Sequence, residues 1–119
     1  MYFCVMYSSE LIKGTLKTII LKLLNEQKEM YGYEITKKVE ELTHGKIQIT
    51  EGALYPILHK MEADGLLITR EMSIGKRVRK YYSVTSSGKT ESAAKTSELL
   101  DFIRTMETLL QPQTGFSTS

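Results

Sequence analysis

The fold is decided by Leu66-Leu67-Ile68-Thr69-Arg70-Glu71-Met72-Ser73-Ile74-Gly75-Lys76-Arg77-Val78-Arg79-Lys80-Tyr81-Tyr82-Ser83-Val84. Before this stretch apolar residues recur every three or four positions; within it they recur every two. Leu66, Ile68, Arg70 and Met72 alternate with Leu67, Thr69 and Glu71, and Ser73-Ile74-Gly75-Lys76 turns the chain back. On the return, Val78, Tyr82 and Val84 fall on one side, and Arg77, Arg79, Tyr81 and Ser83 on the other. Lys80 shares parity with the apolar set and is expected near the open end, where its ammonium reaches water. The pattern predicts a hairpin with a basic tip and a basic outer face.

Three helices are expected before the hairpin. The first runs from Leu11 to Leu24, with Ile12, Leu16, Ile19, Ile20, Leu23 and Leu24 on one face and Ser8 or Ser9 as cap. Gly14 inside it costs stability and points to a neighbour packed close. A connector, 25–32, leads to a second helix striped by Ile35, Val39 and Leu42, with Gly45 suited to a left-handed residue past its end. Thr50 caps the third, and the Glu51 carboxylate complements the helix dipole. Its buried stripe is Leu54, Ile57, Leu58 and Met61, which leaves Gly52, Tyr55, Pro56 and His59 pointing away from the core. Pro56 is expected to kink it, because proline cannot donate to the carbonyl four residues back. After the hairpin, Thr85 caps a last helix that reaches about Gln111. Leu99, Phe102, Ile103, Met106, Leu109 and Leu110 make a seam on it, of coiled-coil type.

The 119 residues suit one domain, and 41% hydrophobic with 25% charged residues is a globular composition. That length excludes barrel enzymes, kinases and two-domain dehydrogenases. The single Cys4 cannot close an internal disulfide, and one cysteine with two histidines falls short of a zinc set, so no metal or cofactor is expected. No stretch reaches the roughly 20 apolar residues of a spanning helix, and the uncharged start lacks the basic residues of an export signal. A cytoplasmic protein is the expectation.

Enzyme-like strings do not assemble into a site. Gly88-Lys89-Thr90 ends like a phosphate-binding loop, but Ser83 stands where the earlier glycine is required. Ser86-Ser87-Gly88-Lys89 has only the spacing of a serine-lysine pair. His59 and Glu62 share a helix face without an indicated third metal ligand. No nucleophile, base and orienting group come together, so the chain is read as non-enzymatic.

Helix, helix, helix, strand, basic turn, strand, helix is the order of a winged helix-turn-helix, mainly α with a small β-hairpin wing. A net charge of +2 looks too low for a nucleic-acid binder until its distribution is considered. From Arg70 to Lys80 five basic residues face one acid, a local net of +4 that leaves −2 elsewhere. Positive charge therefore concentrates where a wing would meet phosphates, with Lys46 and Lys60 as possible additions. The expected organisation is an N-terminal extension over 1–7, a DNA-binding domain over 8–85, a dimerisation helix over 86–111 and a tail over 112–119. The competing reading is a winged helix used for protein docking without DNA.

Gly52-Ala53-Leu54-Tyr55-Pro56-Ile57-Leu58, Met61-Glu62-Ala63-Asp64-Gly65-Leu66-Leu67 and Arg79-Lys80-Tyr81-Tyr82-Ser83-Val84-Thr85-Ser86-Ser87-Gly88 resemble the PadR family of bacterial transcriptional regulators. Lys13-Gly14-Thr15-Leu16 and Tyr31-Gly32-Tyr33-Glu34-Ile35 resemble it too. The resemblance spans about Leu11 to Leu110 and implies a homodimeric winged-helix repressor, for which two-fold docking geometry predicts a palindromic operator. It places Thr50, Glu51, Gly52, Tyr55, Pro56 and His59 on a recognition helix and Lys76, Arg77 and Arg79 on the wing, and the basic hairpin adds Lys80 as a candidate DNA contact. It implies a dimer formed by the last helix packing on the partner's first helix. Ile12, Leu16, Leu99, Phe102, Ile103, Met106, Leu109 and Leu110 are then the interface. The chain departs from better-known members in its single C-terminal helix and its lack of tryptophan. A tryptophan-based drug pocket does not carry over, although Phe102, Met106 and Ile12 are candidates to line a small site for an apolar or aromatic effector.

Overall fold

A computed structural model of the chain describes residues 7–112. Cys4, the extension apart from Tyr7, and the tail apart from Pro112 lie outside the described residues. The predicted first helix is in fact two, α1 (Ser9–Lys13) and α2 (Leu16–Glu26). Ser8 caps α1 by accepting from the Leu11 amide. The break follows from Thr15, whose amide and hydroxyl both donate to the Ile12 carbonyl, each at 2.8 Å. A Cβ on Gly14 would meet nothing within 4 Å, so close packing is not its reason; it stands at the cap that ends α1. Ile12, Leu16, Ile20, Leu21, Leu23 and Leu24 enter the core.

A two-residue strand, β1 (Met30–Tyr31), precedes α3 (Gly32–Leu42) and went unpredicted, being too short to show a period. Ile35 and Val39 are buried in α3, whereas Leu42, expected in the same stripe, is exposed at its last position. Gly45 follows with φ of 79°, as its place after the helix predicts. The remaining elements are α4 (Glu51–Ala63), β2 (Leu67–Ile74), β3 (Arg77–Val84) and α5 (Ser86–Leu110).

The antiparallel sheet has the order β1-β3-β2. Residues paired across antiparallel strands share a face. Leu67 with Val84 and Thr69 with Tyr82 therefore point to the core, while Ile68, Arg70 and Met72 point out with Ser83, Tyr81 and Arg79. The alternation left open which side of the outgoing strand faces inward, and the pairing decides it: Leu67 and Tyr82 are buried, and Ile68 is 57% exposed. The hairpin is also tighter than expected. Ile74 pairs with Arg77 across the two residues Gly75 and Lys76, and φ of 62° at Gly75 suits the first position of a type II′ turn.

At the hairpin's exit, Thr85 Oγ1 donates to the Gly65 carbonyl at 2.7 Å and accepts from the Gly88 amide at 3.0 Å, while the Thr85 amide donates to the Leu66 carbonyl. One residue thus caps α5 and ties it to the segment that leaves α4. The first half of α5 lies on α2, with Ser92 buried and Lys17 paired to Glu91 at 3.1 Å. Its second half projects from the body, which accounts for the longest dimension of 66 Å.

Candidate nucleic-acid interface

Thr50 begins α4 by accepting from the Ala53 amide at 3.2 Å, with Glu51 in the first turn. Leu54, Leu58 and Met61 turn inward and Ile57 is half-buried against the core. The helix continues through Pro56 without interruption. Gly52, Pro56 and His59, spaced four and three apart, are exposed on the other face with Glu51 beside them.

Tyr55 departs from expectation. Rather than pointing away from the core, its ring is half-buried and packs on the start of α3. A Cβ at Gly32 would lie 2.8 Å from Tyr55 Cζ and closer still to its hydroxyl oxygen. Burial, and then the Glu51 charge, push the Tyr55 hydroxyl above the usual tyrosine pKa. Burial raises Tyr82 as well, followed by the charges of Glu62 and Tyr55. Tyr55 therefore locks α4 onto α3. Gly32→Ala is expected to force the two helices apart and cost about 1 to 3 kcal/mol in chemical denaturation. Unchanged stability would show that the contact yields freely.

The hairpin's cations divide into two groups. Arg70 is paired with Glu29 ahead of β1, and its guanidinium lies 5.0 Å from the Tyr81 ring centroid. That bond, with the charges of Arg70 and Lys28, holds Glu29 below the usual carboxylate range against the opposing effect of its partial burial. Lys80 is on the opposite face from Arg77 and Arg79. It turns to α4, 3.6 Å from the Glu62 carboxylate and 5.7 Å from the Tyr82 centroid, with its side chain still partly in water as expected. Arg79 is stacked on Tyr31, 4.2 Å from its centroid. Among the described residues only Lys76 and Arg77 of this group are exposed without an ion pair or ring contact. Lys60 pairs with Asp64 at 3.2 Å, and Lys46 is exposed.

Wing, α3 and α4 converge on a cleft of about 450 Å³ lined by Tyr31, Tyr33, Glu51, Ile74, Arg77 and Arg79, among others. The tyrosines Tyr31 and Tyr33 entered the sequence reading only through the family resemblance and were not named as site residues. The signal available was a Tyr-x-Tyr pair just before a predicted helix, and without β1 nothing placed it beside the wing. No group of three metal-ligating side chains occurs among the described residues.

The seam of α5 is largely bare: Phe102, Ile103, Leu109 and Leu110 are exposed, and so is Leu100, which was not in the predicted set. Leu99 and Met106 are half-buried. Ile12 and Leu16, expected at the dimer interface, are instead 9% and 5% exposed in the chain's own core, leaving little surface for a partner. Nor does one chain bring Ile12 to Phe102 and Met106. Those two border a shallow cleft on α5, while Ile12 borders another between α1 and α4.

Residues 20–94, from α2 into the first half of α5, match the model of the transcriptional regulator PadR-like family. The chain belongs to the PadR-like family. As a PadR-like protein it is a DNA-binding regulator of transcription with a winged-helix fold. It is 38% identical over 86 residues to an uncharacterized protein of Lysinibacillus sphaericus, covering 71% of this chain and 77% of that one. Identity to transcriptional regulator Rv3488 of Mycobacterium tuberculosis is 36% over 61 residues, 51% of this chain and 54% of the relative. Among solved structures, a transcriptional regulator from Clostridium thermocellum superposes with a TM-score of 0.79 at 30% identity, covering 88% of this chain and 99% of that chain. A PadR family regulator from Eggerthella lenta gives 0.75 at 30%, covering 86% and 87%. Among the described residues, no helix of this PadR-like chain is long and apolar enough to cross a membrane.

Proposed function

We propose that the chain is a homodimeric, sequence-specific repressor that works in the cytoplasm on a palindromic operator and is released by a small apolar or aromatic molecule. The observation that carries this reading is the bare apolar seam of α5, an exposed face whose coverage by a second copy would pair two reading heads. Two α4 helices would then enter successive major grooves roughly 34 Å apart, presenting Gly52, Pro56 and His59 to the bases with Thr50 and Glu51 at the entering end. Tyr55 supports that helix from behind. Lys76 and Arg77 supply the salt-sensitive grip on phosphates, and repression follows by occluding polymerase. An effector at the α5 seam would act by changing the angle between protomers.

The test is a salt titration of binding to the DNA upstream of the chain's own gene. Two wings with two cations each contribute about 3 to 4 to the slope of log affinity against log salt. Lys76→Ala with Arg77→Ala is therefore expected to remove that much slope and weaken binding about 100-fold or more near 0.1 M salt. An unchanged slope would move the phosphate grip away from the wing.

A further inference from the structure

Arg79 carries the same charge as Lys76 and Arg77 but has a different environment. It is half-buried, whereas they are exposed. Its guanidinium covers the Tyr31 ring at 4.2 Å, and Tyr31 in turn meets Tyr81 edge to face at 5.4 Å. The Tyr81 hydroxyl beside it, and then the neighbouring Tyr31, Tyr81 and Glu34, favour its charged form. An arginine on an aromatic face is held there by attraction to the ring, which ties the position of the strand that carries it to the ring beneath.

The location gives this contact leverage. Tyr31 is the last residue of β1 and the residue from which α3 starts, and its amide donates to Glu34 in the first turn of that helix. β1 pairs with β3 only at Tyr82 and Tyr81. Beyond them the wing is a two-stranded ribbon with Val78 64% exposed. An isolated two-stranded hairpin has little rigidity of its own. On the face of β3 that Tyr81 shares, Arg79 is the first side chain past the three-stranded part, and it reaches back over Tyr31.

We propose that Arg79 is a positioning residue rather than a phosphate contact: held on Tyr31, it sets the angle of the wing against the α3–α4 pair, so that Lys76 and Arg77 meet the DNA backbone. This rests on the DNA interface proposed above. It separates two roles that charge alone gives to one group of residues.

The experiment measures affinity for the same upstream DNA at several salt concentrations, with Lys76→Ala/Arg77→Ala as the phosphate-contact reference. Arg79→Ala and Arg79→Lys are expected to weaken binding by similar amounts, about 5- to 30-fold from loss of the stacked contact in both wings. The salt slope should stay at the wild-type value. Tyr31→Phe, which keeps the ring, should bind as wild type. Tyr31→Ala should weaken binding like Arg79→Ala, and the two together should be no worse than either alone. The proposal is overturned if Arg79→Ala lowers the slope by about 2, one phosphate per wing, while Arg79→Lys preserves affinity. It is equally overturned if Tyr31→Ala binds as tightly as wild type. Wild-type protein without salt-dependent DNA binding would defeat the underlying interface, a result distinct from either of those.

Discussion

Gly88→Val is expected to remove about 3 kcal/mol or more of folding stability and to lower the melting temperature by about 10 °C or more. A Cβ at Gly88 would lie 3.2 Å from the Leu66 carbonyl carbon, closer still to its oxygen, and 3.2 Å from Val84 Cβ. The obstacle is backbone, and that backbone is fixed: the Leu66 carbonyl accepts from Thr85, and Thr85 also holds Gly65. The side chain cannot swing clear, because the first atom of any side chain makes the clash. Gly88→Ala should therefore already be costly, while Ser87→Ala, next to it and exposed, should change little. Thermal and denaturant melts of the three variants decide the matter. Near-wild-type stability of Gly88→Val would mean that α5 does not need its close seat on the α4–β2 corner.

The second large effect concerns assembly. Phe102→Asp with Met106→Asp puts two carboxylates, about one helical turn apart, on the seam of α5. Phe102 is 56% exposed and Met106 half-buried at the outer part of the helix, so the chain's own core should tolerate the change. A buried, unpaired charge at a subunit contact is poorly tolerated, and sedimentation is expected to show a monomer at micromolar concentration. Affinity for a palindromic site should then fall by about 100-fold or more, since each head must bind without the effective concentration that its partner supplies. A stable dimer in the double variant would place the interface elsewhere.

Features marked by residue type were legible in the sequence. Ser8, Thr50 and Thr85 cap helices because a hydroxyl accepts a free amide there, and the period change at Leu66 announces the hairpin. Features that depend on distant partners were not. Leu66 and Leu67 are adjacent and both apolar, so the inward face of β2 is decided by its pairing with Tyr82 and Val84. The hairpin's +4 includes Arg70 and Lys80, whose acids, Glu29 ahead of β1 and Glu62 on α4, lie far from them in the sequence or on another element. Tyr55 has the spacing of an outward residue, and only the bare Gly32 backbone opposite makes room to bury it. The break at Gly14 likewise reflects local bonding by Thr15 to Ile12 rather than any change in apolar period.

Thr85 sets the route that the proposed effector signal would take. Its two hydroxyl bonds and its amide bond join the wing's exit, the corner after α4 and the root of α5 within a few residues. A junction so short transmits rotation without absorbing it. In the proposed dimer the projecting arm and the reading head would then turn as one lever, and a molecule wedged between two such arms would change the spacing of the heads while leaving each head's shape intact.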